Sequence, residues 1–380
     1  MSFQYPQRIP TFLFLLLLFF VTSPLFAKNS SDLKPLPVVV DTDMGFDDWM
    51  AILYLLNNPA VDLKAITIDC AGETYCPQGA VNATRLIEIA GQSQIPVFYG
   101  DTPLSTFAYQ YPTLIRYGAT SMEVPGFEDK QGVPFYTDNA AGHLQRMIVE
   151  AGQAGVPLTV ISIGSSTNLA AAIKLTNNHA DFKKGIKRIF KGGGVIGQVI
   201  NGKLSNQGIK GNISIPGILS SDNKTAEWNI YPNAEAAQQL FSSGLPITLV
   251  PINLSNNVPI TKASFNTLLT IANTPEAHFV VSVIDRNVQV QGGWDKVELD
   301  YWDPSVVVSA INPEMVTKQF SDVPLCVQTE NNQYHGTTYV YDMCNSLKVG
   351  SGTLEIYTEI PQKAFLDEFF GVLNLIPQNE

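Results

Sequence analysis

Residues 37–58 read PVVVDTDMGFDDWMAILYLLNN. The apolar run 37–40 closes on Asp41, the form of a buried strand in a parallel sheet. The stretch that follows spaces Met50, Leu53, Tyr54 and Leu56 as one face of a helix, which Pro59 stops. Between strand and helix stand Asp41, Asp43, Asp47 and Asp48. Gly45 is read as the residue that lets the turn take a backbone conformation a Cβ would resist. One Asp at a helix N-terminus is accounted for by capping and the helix dipole. Four are not, because carboxylates crowded together repel unless a cation neutralises them. Such a set suits Ca²⁺, a hard ion that takes about six to eight oxygen ligands. The spacing is not that of an EF-hand, and the segment lacks the glycines and Lys of a phosphate loop.

Outward from this segment, strands and helices alternate. LKAITID (63–69) and IPVFYG (95–100) read as strands around a helix at 79–90 that Gly91 ends. Residues 101–136, rich in Pro, Tyr and Gly, read as a lid or binding loop; Tyr109, Tyr111 and Tyr117 are candidate contacts there, with surface tyrosines the favoured reading. The alternation resumes with a helix at 138–152, a strand at 157–163, a helix at 167–176 and a strand at 186–193. After an irregular stretch at 194–226 come a helix at 234–243, a strand at 245–252, helical residues 261–290 broken near Pro275, and a helix at 303–311. VPLCVQTE and TTYVYDMC alternate as a hairpin, and 364–373 reads as a closing helix. The expected fold is α/β: a doubly wound, mainly parallel sheet with a small C-terminal β-hairpin and a closing helix. Ligands of such sheets bind at the carboxyl ends of the strands.

At the N-terminus, Arg8, the apolar run 11–22 (TFLFLLLLFFVT) and the segment SPLFA ending at Ala27 follow the order of a secretory signal. The expectation is a signal peptide over 1–27, a leader over 28–36 and one domain over 37–380, exported to the periplasm or secreted. An uncleaved anchor is the alternative. Cys70, Cys76, Cys326 and Cys344 favour local disulfides in an exported chain, Cys70 with Cys76 and Cys326 with Cys344, against free buried thiols. With 23 Lys and Arg against 34 Asp and Glu, the net charge of −11 speaks against nucleic acid or an anionic membrane as partner. A neutral small molecule, or one held through a cation, fits better.

DTDMGFDD (41–48) resembles the signature of the inosine–uridine nucleoside hydrolase family, an apolar strand followed by D-x-D-x-G-x-D-D. Further blocks follow in family order: IEIAGQSQIPVFYGDTPL (87–104), ISIGSSTNLAAAI (161–173), FKGGGVIGQV (190–199), GNISIP (211–216), TAEWNIYPNAEAA (225–237) and YWDPSVVVSA (301–310). The resemblance implies a nucleoside-hydrolase-type fold and Ca²⁺-dependent cleavage of a ribonucleoside into base and ribose. By motif position it implies that Asp43 and Asp48 bind Ca²⁺ with the Thr167 carbonyl and Asp303, and that Asp43 activates a metal-bound water. Asp47, Asn212, Glu227 and Asn229 would hold ribose hydroxyls, and Asp41 would stand behind the ligands. Homo-oligomers are common in that family, so a second copy is the other partner it implies.

The chain departs from the family pattern at several positions. Many members carry His where this sequence has Trp302, and Trp228 sits between two ribose ligands. Both features look like the purine-preferring (inosine–adenosine–guanosine) branch, in which stacking on the base assists its departure; an indole offers a large π-face for that. Glu73, in CAGETYC, replaces Asn or Asp near the substrate. Asn253 stands where Asp is common. His143, His179, His278 and His335 fall outside the blocks and read as structural or solvent-exposed. A calcium- and nucleoside-binding protein without turnover, and a hydrolase of another N-riboside, are the alternative readings.

Overall fold

The computed structural model describes residues 34–92, 94–100, 111–128, 136–215, 219–347 and 350–376; the expected signal peptide and most of the leader lie outside them. The first half of the chain runs β1 (Leu36–Thr42), α1 (Phe46–Asn57), β2 (Val61–Ile68), α2 (Gln78–Ile89), β3 (Val97–Tyr99), α3 (Thr113–Ser121), β4 (Tyr136–Thr137), α4 (Ala140–Ala154), β5 (Leu158–Ser162), α5 (Thr167–Leu175), α6 (His179–Lys184) and β6 (Ile186–Gly192). The second half runs β7 (Val199–Ile200), β8 (Lys203–Leu204), α7 (Ala234–Phe241), β9 (Ile247–Val250), α8 (Ile252–Ser255), α9 (Lys262–Ile271), α10 (Pro275–Val290), α11 (Trp302–Ile311), β10 (Lys318–Val327), β11 (Thr338–Val340), α12 (Asp342–Leu347), β12 (Gly352–Glu359) and α13 (Gln362–Leu373).

Among the described residues ten strands form one sheet in the order β11-β10-β12-β9-β6-β5-β1-β2-β3-β4, antiparallel where β10 meets β11 and β12 and parallel elsewhere. Successive strands run outward from β1 through β2, β3 and β4, and on its other side through β5, β6 and β9. The order therefore reverses beside β1, which makes the β1–β5 boundary the switch point where such sheets bind ligands. The run of valines in β1 follows from its place. Val38 and Val40 pack into the core under α1, α10, α11 and α13, while Val39 packs into the second core under α4, α5 and α7. With both faces covered, every position is apolar until the strand ends.

The C-terminal part contains the expected small antiparallel hairpin and extends it. β10 and β11 pair as read, but TTYVYDMC divides between β11 and α12. β12, which the sequence reading left out, lies between β10 and β9 and joins the hairpin to the main sheet. The region read as a loop at 101–136 holds α3, and the irregular stretch after β6 holds the small β7–β8 ribbon. Cys70 is bonded to Cys76 and Cys326 to Cys344, with Cα separations of 5.6 and 5.5 Å. β1 begins at Leu36, one residue inside the expected leader. Among the described residues no helix is long and apolar enough to cross a membrane.

Candidate active site

The turn from β1 to α1 is locked by its own side chains. The Thr42 hydroxyl donates to Asp48 Oδ1 and accepts the Met44 N–H at 3.0 Å. The Gly45 N–H donates to Asp48 Oδ2 at 2.8 Å, and the Trp49 indole donates to the Met44 carbonyl at 2.8 Å. The left-handed residue here is Met44, at φ 62°, and Gly45 is extended at φ −67°. Gly45 is thus needed for a different reason than the sequence reading gave. A Cβ there would lie 2.6 Å from Glu73 Oε2 and 3.1 Å from Asp48 Oδ2. Gly72 is equally constrained, since its Cβ would meet the Asp43 carboxylate.

Asp47 and Asp48, on the first turn of α1, meet Asp303, on the first turn of α11. One carboxylate oxygen from each lies within 4.8 Å of the others. Asp43 and Glu73 adjoin this trio. Asp43 Oδ2 accepts the Glu73 N–H at 3.0 Å, and the Glu73 carboxylate reaches over Gly45 toward Asp48. Burial is the main cause that raises every one of these groups. It pushes Asp47 up to about 7, with the charge of Asp48 adding to it. Asp43 rises well above the ordinary range through burial, then Asp48, Glu73 and Asp69; Asp303 does so through burial, then Asp47, Asp48 and Asp43. Glu73 is raised by burial, then by Asp47 and Asp48. Buried carboxylates that oppose one another in this way call for a cation, and an all-oxygen donor set is that of Ca²⁺. The trio is a calcium site in its donor chemistry. It contains Asp47, which the sequence reading gave to ribose. Asp43, given to the ion, stands next to it. Thr167 begins α5, with its hydroxyl bonded to Ser165 at 2.6 Å and to Asn233 at 2.9 Å.

Beneath the trio lies a polar floor that was only partly foreseen. Asp41 Oδ1 accepts the Thr67 hydroxyl at 2.6 Å and Asn168 Nδ2 at 2.8 Å, and among the described residues its Oδ2 has no partner. Burial, then Asp69, pushes Asp41 up to about 7. Asp69, at the end of β2, and Lys191, near the end of β6, are both fully buried, and the sequence reading missed both. Their signals were present: LKAITID repeats the apolar-run-then-acid pattern of PVVVD, and Lys191 is a charge inside a strand otherwise read as buried.

The expected ribose block folds against the same end of the sheet. Glu227 Oε2 accepts the Gly194 N–H at 2.7 Å, and the Asn229 N–H also donates to the Glu227 carboxylate, at 3.0 Å. Asn229 Nδ2 donates to the Ile163 carbonyl, just past β5, at 2.7 Å. Asn212 Oδ1 is buried and has no partner among the described residues. Trp228 donates from its indole to the Asn212 carbonyl at 3.0 Å and is stacked by Tyr111, with ring centroids 4.5 Å apart. Tyr111 is therefore a buried partner of Trp228 and not a surface tyrosine; Tyr117 is exposed, and Tyr109 lies outside the described residues. Trp302 packs edge-on against Phe46, beside Asp47 and Asp303. Asn253 bridges both backbone groups of Ile196, at 2.8 Å each. His143 stacks on Phe98, and His335 is buried beside Tyr231.

Residues 38–367 match the family model described as inosine-uridine preferring nucleoside hydrolase. A pyrimidine-specific ribonucleoside hydrolase, RihA, of Salmonella paratyphi A is 25% identical over 309 residues, covering 80% of this chain and 88% of that one. A plant nucleoside hydrolase, PpNRh1, superposes with a TM-score of 0.69 at 24% identity, over 90% of this chain and 99% of that one. A purine-preferring ribonucleoside hydrolase of Gardnerella vaginalis gives 0.68 at 22% identity, over 89% and 98%. At that identity the two superpositions show the shared fold alone. The expected kinship with the purine-preferring branch is overturned, because the curated relatives, including one of Enterobacter at 25% identity over 336 residues, are pyrimidine-specific by name. The aromatic feature read as a purine platform, Trp228, is one half of a stacked pair with Tyr111.

Proposed function

The chain belongs to the inosine-uridine preferring nucleoside hydrolase family, and we propose that it is an exported hydrolase of pyrimidine ribonucleosides with Asp43 as the general base. Calcium-dependent hydrolysis of an N-glycosidic bond comes with the family, the fold and the carboxylate trio. The base preference, the residue roles and the compartment are the proposed part. When bound by Asp47, Asp48 and Asp303, Ca²⁺ supplies Lewis acidity that makes water a better nucleophile.

Asp43 takes the proton of the attacking water. Its orientation is set by the Glu73 N–H on Oδ2, and its basicity by burial among carboxylates. Glu227, Asn229 and Asn212 orient the ribose while positive charge develops on it. The partnerless Asn212 Oδ1 supports this role, since a sugar hydroxyl is the kind of donor it lacks. Trp302 and the Tyr111–Trp228 pair flank the base. The net charge of −11 supports a neutral substrate. Export and self-association are proposed from the N-terminal apolar run and from the habit of the family.

The observation that carries the proposal is the buried Asp47–Asp48–Asp303 trio beside Asp43. Its test is ribose release from a panel of uridine, cytidine, inosine, adenosine and nicotinamide riboside. Release greatest from the pyrimidines, and abolished both by chelation and by Asp43→Ala, is expected. Nucleoside binding without ribose release would defeat the catalytic reading, and preference for another riboside the substrate reading.

A further inference from the structure

Lys191 is the cation of the polar floor, and the proposed reaction makes no use of it. Its position is fixed by register. Asp41 pairs with Thr67 on β2 and with Ser162 on β5, and Ser162 pairs with Lys191 on β6. Partners in parallel strands project to the same face, so Thr67, Asp41, Ser162 and Lys191 form one row across the four central strands, each fully buried. Lys191 closes the row, and its Nζ turns up into the site. There it donates to the Gly164 carbonyl at 2.6 Å and to the Gly192 carbonyl at 2.5 Å.

Each contact leads to a residue of the proposed mechanism. Gly164 packs directly on Asp43: a Cβ on Gly164 would lie 2.7 Å from Asp43 N. A Cβ on Gly193 would lie 2.8 Å from Glu227 Oε2 and 3.5 Å from Lys191 Nζ, so the ammonium and the ribose-facing carboxylate flank the same point. An ammonium has three donors and a strong charge, and a fully buried one persists only where carbonyls and carboxylates surround it. Burial lowers its pKa, while Glu227, Asp303, Asp41 and Asp43 act to raise it.

We propose that Lys191 is a positioning residue and a built-in cation of this site: through two carbonyls it holds the Gly164 turn that packs on Asp43 and the Gly192 strand end, two residues before the N–H that binds Glu227, in place for ribose, and its fixed charge opposes that of the divalent ion. This deepens the proposed function and rests on it for the ribose part, whereas the competition with calcium requires no turnover.

The two parts predict opposite effects of one substitution. In Lys191→Met the side-chain volume stays similar and the charge is gone. Calcium should then bind the chelator-treated protein about tenfold more tightly, as removal of a nearby positive charge at protein-like dielectric implies. At saturating calcium, KM for the nucleoside should rise at least several-fold, with kcat changed less, because an orienting contact is lost. Lys191→Arg, which keeps the charge, should return calcium affinity to near that of the parent. Lys191→Gln, neutral but able to donate to one carbonyl, serves if the Met variant does not fold and should tighten calcium binding likewise. Calorimetric titration with calcium alone reads the first part, and steady-state kinetics the second. Unchanged or weakened calcium affinity in both neutral variants, or equal tightening in Lys191→Arg, overturns the charge role. An unchanged KM overturns the positioning role. The calcium result is independent of the substrate assignment, because the calorimetry contains no nucleoside, and the kinetic result is read on whichever riboside the panel shows to be cleaved.

Discussion

Two neighbouring rows of the same sheet face follow opposite rules. Val39, Ala65, Val160 and Ile189 cross the central strands in one row, and Asp41, Thr67, Ser162 and Lys191 cross them two residues further on. All eight are fully buried. Strands, partners and exclusion of water are alike, so burial alone does not explain the change in chemistry. The first row contributes stability through apolar area removed from water. The second leaves Asp41 Oδ2 and Ser162 Oγ without partners, an arrangement that costs stability. Such a break in the local rule marks the layer where the fold gives way to the site.

The contrast can be broken or sharpened by experiment. The largest effect is expected at the trio above the polar row. Asp303→Ala should lower kcat/KM on the order of a thousandfold while the metal-free protein stays folded, since a repelling carboxylate has been removed. Retention of more than a tenth of the activity would argue that the trio is not the reaction's centre.

Next comes the pH dependence of the calcium-free protein. Asp47 is raised from 3.8 to about 7 in the folded state, so folding favours its protonated form. The stability tied to it is present below about pH 4 and is lost as the pH rises through about 7. Thermal melts in chelator should therefore fall over that window, and calcium should flatten the fall. A melting temperature that rises over the same window contradicts the repulsion on which the ion site is argued.

A smaller effect separates the rows themselves. Val160→Ala, in the apolar row, should cost about 2 kcal/mol by urea unfolding, with kcat/KM within about twofold of the parent. Ser162→Ala, one layer up, removes a hydroxyl that has no partner among the described residues and should leave stability unchanged or raise it by about 1 kcal/mol. If the two variants lose equal stability, the rows do not differ in the way described.

Much of the fold was legible because its strands are buried on both faces and its helices are amphipathic, so PVVVD and LKAITID announced themselves and Pro275 marked the start of α10. β12 was missed because GTLEIYTE alternates weakly and follows a helix that the sequence had read as strand. α3 was hidden in a stretch whose Pro and Gly content reads as loop. At the site, Asp43, Asp48 and Asp303 were read as ligands from clustering and motif position; the structure groups Asp48 and Asp303 with Asp47, and Asp43 lies beside them. The role of Gly45 was misread because it depends on Glu73, 28 residues away in sequence (73 minus 45). Tyr111 was discounted for the same cause, since only folding brings it onto Trp228. Lys191 was passed over because a lone Lys in a strand looks like an edge feature until the register places it in the centre.

Calorimetric titration of the metal-free protein with calcium tests the shared ion site most directly. The parent should bind a single calcium ion per chain, and Asp48→Asn should lose that binding by at least about a hundredfold in affinity. Undiminished one-to-one binding in Asp48→Asn, or no binding to the parent, would contradict an ion held jointly by Asp47, Asp48 and Asp303.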